Sequence, residues 1–212
     1  MAQMKLLTER EESRLAVLAE SQPKTAKALQ TLIEKIKTGV IRAALNDPQI
    51  AELLKEKRFR LLGTDFRDEK PVEGDEIARR LMEIGLYNYD DNVLIVLIID
   101  LRQGEIVSIE ERRGYHPALV SEEIEEAKNI VLEDPQFEAL KEHPELEVVG
   151  YPARASVTES HPGFGHRCAT LYFWTGGEQP ERVSQAVVDL SAQKVVPGYA
   201  EGEPFVEPQG TR

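Results

Sequence analysis

The sequence predicts an α+β protein of two matched domains, each a long helix packed on a four-stranded antiparallel sheet. Three observations carry this. Asp47-Pro48-Gln49-Ile50 returns 87 residues later as Asp134-Pro135-Gln136-Phe137, and Leu61-Leu62-Gly63 returns at the same offset as Val148-Val149-Gly150. Ile98-Ile99-Asp100-Leu101 recurs 89 residues on, as Val187-Val188-Asp189-Leu190. Around these matches, helical periodicity comes first and strand-like segments follow, the order of a helix laid on an antiparallel sheet.

The elements follow in chain order. Thr8-Glu9-Arg10-Glu11 fits a capping box, so a leading helix is expected over about residues 9–20, interrupted by Pro23. Leu29, Leu32, Ile33, Ile36, Val40 and Ile41 then recur at three- and four-residue spacing, which predicts an amphipathic helix over 24–45. Asp47 caps a further turn, with Pro48 at its first position, where the missing amide costs nothing. In the second copy Ser121 is expected to cap, Ile124, Ala127, Ile130 and Val131 form the stripe, and Asp134-Pro135 restarts the helix.

Residues 76–84 have helical propensity, yet their counterpart is read as His166 to Trp174, which is aromatic and strand-like. The match decides for strand. The predicted strands are 58–67, 78–89, 92–101 and 104–111, then 146–157, 166–175, 182–190 and 193–197, with Asp90-Asp91-Asn92 and Arg102-Gln103-Gly104 as turns. The division is therefore 1–22 leading helix, 23–114 first domain, 115–197 second domain and 198–212 a Pro- and Gly-rich tail.

Charge narrows the functions. Of a net charge of −12, residues 1–114 are near balance, with 19 Lys/Arg against 21 Asp/Glu; residues 115–212 carry 7 against 17. Such acidity argues against nucleic acid and against anionic membranes as partners, since both call for a cationic surface. The single cysteine, Cys168, allows no intrachain disulfide, and no signal peptide is read at the N-terminus. The longest apolar run, Val93 to Ile99, is far short of a membrane span. A cytoplasmic protein is expected.

That same run, Val93-Leu94-Ile95-Val96-Leu97-Ile98-Ile99, is apolar on both faces, while one helix covers only one. Val93, Ile95 and Leu97 are accordingly candidates for contact with the leading helix, the other domain or a second chain. In Leu171-Tyr172-Phe173-Trp174, alternation sends Tyr172 and Trp174 to one face, as candidate interface anchors between domains or with a partner.

The link between the copies carries a resemblance. Ile99-Asp100-Leu101-Arg102-Gln103-Gly104-Glu105-Ile106-Val107, followed by Gly114-Tyr115-His116-Pro117, resembles the second N-terminal domain of copper amine oxidases. Pro117 to Ala127, through Asp134-Pro135-Gln136-Phe137, is similar to the opening of their third domain. The resemblance covers most of residues 24–197 and implies two tandem cystatin-like domains. It departs at Val149-Gly150-Tyr151-Pro152-Ala153-Arg154, where the family's Trp-containing motif is absent. The copper and topaquinone of that family belong to a large C-terminal domain, and this chain ends where that domain would begin. The resemblance therefore implies no enzyme and no cofactor here.

Several chemically capable residues also have plain structural readings. Asn88-Tyr89-Asp90 mimics the family's cofactor tyrosine motif, but lies at a hairpin end in the wrong domain. His161, His166 and Cys168 form the best metal candidate, lacking an identifiable fourth ligand; the bland reading is two loop and strand-edge histidines beside a small buried Cys. Cys168 with His166 could also be nucleophile and base, though no oxyanion donor or orienting acid is identifiable. Arg58, Arg60, Arg79 and Arg80 could form a basic patch, and Glu110-Glu111-Arg112-Arg113 reads as a solvated strand end.

The expected function is a non-catalytic module that binds a protein partner or itself as a homodimer. The alternatives are an accessory or amine-binding component linked to amine oxidation, and a Cys/His-based enzyme or metal-binding protein.

Overall fold

Asp47 and Asp134 set the pattern of the fold: each side chain accepts the backbone N–H two residues on, Gln49 and Gln136, at 2.9 Å. The computed structural model of the chain describes residues 17, 19–20, 22–69, 79–143, 145–153, 163–177 and 179–196. These form two compact units that meet in sequence between Tyr115 and His116. Val17 and residues 19–20 are helical; the rest of the predicted leading helix, His161 and the tail from Pro197 lie outside the described residues.

The first unit runs α1 (Pro23–Leu45), α2 (Pro48–Leu54), β1 (Phe59–Glu69), β2 (Arg79–Asn88), β3 (Val93–Asp100) and β4 (Glu105–Arg113). The second runs α3 (Ser121–Glu133), a 3-10 helix (Pro135–Glu142), β5 (Leu146–Pro152), β6 (Cys168–Thr175), β7 (Arg182–Asp189) and β8 (Lys194–Val195). Both sheets are antiparallel, in the orders β1-β2-β3-β4 and β5-β6-β7-β8. Among the described residues, no helix is long and apolar enough to cross a membrane.

Cross-strand register fixes which residues correspond. Phe59 faces Asn88, and Leu146 faces Thr175, so Arg79 corresponds to His166, not Glu76 as the sequence comparison had it. The offset grows from 87 to 89 because the loop between β6 and β7 is longer than the Asn88–Val93 turn. Ile50 and Leu54 are the buried residues of α2, an i,i+4 spacing that suits an α-turn. In the second unit the buried residues of this segment are Phe137 and Leu140, and the 3-10 stretch kinks at Phe137.

Two expectations at helix ends and faces are corrected. Val120 is the N-cap of α3 and Ser121 its first helical residue; the Glu123 carboxylate accepts the Val120 N–H at 3.0 Å. On α1 the buried residues are Ala26, Lys37 and Ala44, with Ile33, Val40 and Ile41 half-buried, whereas Leu29, Leu32 and Ile36 are exposed. The sheet covers a narrower arc of the helix than its apolar residues span.

The first core gathers Ala44, Ile50 and Leu54 against Met82, Ile84, Leu86, Val93, Ile95, Leu97 and Ile99. All eight residues of β3 are buried. Val93, Ile95 and Leu97 occupy this core with the helical residues, and Leu94, Val96 and Ile98 on the other face of the strand are buried as well. In the second unit, a Cβ on Gly150 would stand 2.9 Å from Ile124 and 3.0 Å from Leu171, so only glycine lets α3 approach β5 this closely.

Candidate functional site

The segment 166–168 concentrates the unit's polar chemistry, and strand alternation separates its parts. Arg167 points to the face of α3, and His166 and Cys168 to the opposite face. Arg167 and Glu123 are both fully buried and paired through two nitrogens: Nε donates to Oε1, and Nη2 donates to Oε2 at 2.7 Å. Nη1 donates to the Pro117 carbonyl and Nη2 to that of Ala118, each at 3.1 Å. The guanidinium therefore clamps the first residues of the unit to its sheet. His116, half-buried at the same entry, has its pKa lowered by burial and by the Arg167 charge.

On the other face, His166 Nδ1 lies 2.6 Å from Oδ2 of Asp189, a carboxylate only 1% exposed. The other oxygen of Asp189 accepts the Ala192 N–H at 2.8 Å. In the first unit the corresponding Asp100 is also 1% exposed; it accepts the N–H groups of Arg102 and Gln103, and Arg79 stands 3.6 Å away. His166 thus stands where Arg79 stands in the first unit, facing a buried turn carboxylate.

Cys168 lies opposite Asp189 in the ladder, packed with Ala153, Val187 and Val196. Its thiol donates to the Gly163 carbonyl at 3.7 Å, and burial, then the Asp189 charge, push its pKa up to about 12. A nucleophilic or metal-binding cysteine requires the reverse shift. Of the metal candidates, His166 and Cys168 are brought to one face while His161 lies outside the described residues. Among the described residues, no group of three or more His, Cys, Asp and Glu is arranged to hold a metal ion.

The hairpin tyrosine has a structural position. Tyr89 is 2% exposed, edge-on to Tyr87 at 5.2 Å and beneath the Arg58 guanidinium at 4.3 Å. The Asn88 side chain accepts the N–H groups of Asp90 and Asp91, and Asp90 accepts the Arg58 N–H at 2.7 Å. These residues tie a turn and do not fit a cofactor.

Arg79 and Arg80 are adjacent in β2 and so project to opposite faces. Arg80 is 3.9 Å from Asp68, and Arg79 serves Asp100. Arg112 and Glu110 pair at 2.6 Å at the exposed end of β4.

Tyr172 and Trp174 are half-buried, while Leu171 and Phe173 on the other face are fully buried. In register, Val149 faces Tyr172, and Trp174 lies between Glu147 and Arg182. Tyr151 meets the Tyr172 ring edge-on at 6.2 Å and is 56% exposed; Val149 is 41% exposed. Val149 and Tyr151 belong to β5, an edge strand among the described residues, so the aromatic surface reaches the edge of the sheet. Sequence reading found Tyr172 and Trp174 but missed Val149 and Tyr151. Their alternation with Glu147 in β5 was the available signal.

No protein-family model and no curated protein matches this sequence. The crystal structure of a copper-containing benzylamine oxidase from Hansenula polymorpha is similar in fold, with a TM-score of 0.51 and 16% identity. The similarity covers 80% of this chain, which spans 28% of that oxidase's length. At this identity the likeness is one of fold alone, and this chain's fold is α+β with two antiparallel sheets.

Proposed function

We propose that this chain is a non-catalytic interaction module, formed by two copies of the cystatin-like domain that stands second and third in copper amine oxidases. The fold similarity to a limited part of such an oxidase supports the kinship, as do the matched Asp47/Asp134 caps and Asp100/Asp189 turns. The observation that carries the function is the aromatic outer face of β5 and β6. Exposed Tyr151 and Val149, with half-buried Tyr172 and Trp174 beside them, form an apolar surface that reaches the edge strand of the sheet. Tyr and Trp are favoured where a protein partner binds, because they bury large areas with few torsions to fix. The elevated thiol pKa and buried position of Cys168 favour binding over Cys-based catalysis.

The test is affinity capture from the source cells at low salt, comparing the wild-type chain with a Tyr151→Ser/Trp174→Ser variant of equal thermal stability. A partner, or a second copy, retained by the wild type and lost from the variant supports the reading. Equal capture by both, or release of hydrogen peroxide from primary amines by the purified chain, refutes it.

A further inference from the structure

We propose that α1, with the cleft toward its C-terminal end, is a docking groove for an acidic amphipathic helix of a partner protein. This groove belongs to the first unit and stands independently of the aromatic face on β5 and β6.

Leu29, Leu32 and Ile36 are 41%, 53% and 53% exposed. Their i, i+3, i+7 spacing sets them in one line along the helix. That line continues into a cavity of about 630 Å³, lined by Ile36, Gly39, Val40, Ala43, Ile99 and Ile106 among others. A Cβ built on Gly39 would meet nothing within 4 Å, so the groove is open where the helix has no side chain. Its volume falls in the range of roughly 300–1,000 Å³ that accepts ligand-sized groups, enough for anchoring apolar side chains.

Charge selects the occupant. The exposed cations of α1 are Lys24, Lys27, Lys35 and Arg42, against Glu34 alone among the acids. Lys24 and Lys35 are exposed, and the helical period puts both on the flank of the apolar line away from the buried face. A second copy docking by the same helix would oppose lysine to lysine. An anionic lipid surface would also attract a basic apolar helix, but a flat surface would leave the concave cleft unfilled. A helix with apolar residues at i, i+3/i+4 and i+7 fills the groove, with carboxylates meeting Lys24 and Lys35. Asp47 and Glu105 at the cleft require its anchoring end to carry no carboxylate.

Fluorescence anisotropy with two synthetic helical peptides of identical apolar spacing tests this, one flanked by Glu and the other by Lys. The Glu peptide is expected to bind the full-length chain, more weakly as salt rises. Ile36→Asn should lower its affinity by on the order of tenfold, and Lys24→Glu/Lys35→Glu should transfer preference to the Lys peptide. These side chains are exposed, so circular dichroism should show each variant folded. Equal binding of both peptides, binding of neither, or insensitivity to the substitutions overturns the proposal. So does tighter association with phosphatidylserine vesicles, or a concentration-dependent dimer, abolished by the same substitutions.

Discussion

Arg167 and Glu123 are 44 residues apart in sequence and wholly buried against each other, and the same guanidinium holds the carbonyls of Pro117 and Ala118. Glu123 sits in the first turn of α3, where the free amides favour a carboxylate, and its Oε2 takes the Val120 N–H. One pair therefore joins three things: the entry of the chain, the start of the helix and the first residue before β6.

Removing one partner should be costly, since it leaves the other charge buried alone. Arg167→Met or Glu123→Gln is expected to destabilise the protein by about 3–5 kcal/mol in denaturant unfolding. The double variant Arg167→Met/Glu123→Leu should recover much of that loss, because neither charge then remains. A double variant as unstable as the sum of the singles would show that the clamp on Pro117 and Ala118, not the charge pair, dominates.

The correspondence between Arg79 and His166 makes a second test possible. His166→Arg should be tolerated, because the first unit shows a guanidinium 3.6 Å from the equivalent carboxylate. His166→Ala should destabilise by roughly 1–3 kcal/mol, by leaving a buried Asp189 oxygen without its partner. Equal stability of the Ala and wild-type proteins would mean that Asp189 is held by the Ala192 amide alone.

These relationships differ in how legible they were. The Asp47 and Asp134 caps are local, decided within three residues, and the sequence shows them plainly. So does the division of Leu171 and Phe173 from Tyr172 and Trp174, because strand alternation is a short-range rule. The buried face of α1 was misplaced because Leu29, Leu32 and Ile36 are as apolar as any core residue; nothing local shows where the sheet stops. Lys37 was invisible for the converse reason, since lysine is read as solvated by default. Arg167 with Glu123 depends on a contact between distant segments. The aspartate of Asp189, by contrast, was readable from its match with Asp100, and an Asp retained at both turns hinted at a shared structural duty.

Cys168 should behave as a protected thiol. Its pKa of about 12 and its 2% exposure predict slow alkylation by iodoacetamide at neutral pH, becoming fast only in denaturant. The linkage has a definite sign. A thiol whose folded pKa lies above its unfolded value of 9.0 holds its proton longer when folded. Its contribution to stability is complete below pH 9 and declines as pH rises from there toward 12. Comparing the wild type with Cys168→Ala across this window isolates the effect; rapid alkylation of the native protein would contradict it.

Lys37 is 2% exposed, its Nζ finds no hydrogen-bond acceptor among the described residues, and Glu34 stands 3.9 Å away. Burial lowers its pKa below the usual lysine value, with Glu34 opposing only part of the shift. Folding then penalises the ammonium, and Lys37→Met, which keeps the length of the side chain, should stabilise the protein by about 1 kcal/mol at pH 7. The folded state gives up this proton at a lower pH than the unfolded chain does, so the penalty is full below the folded pKa. It fades as pH rises through that pKa toward 10.5. The advantage of Lys37→Met over the wild type should therefore shrink over the same interval in urea unfolding. An advantage independent of pH would assign the gain to packing, and a loss of stability would show that the ammonium has a partner that matters more than its desolvation.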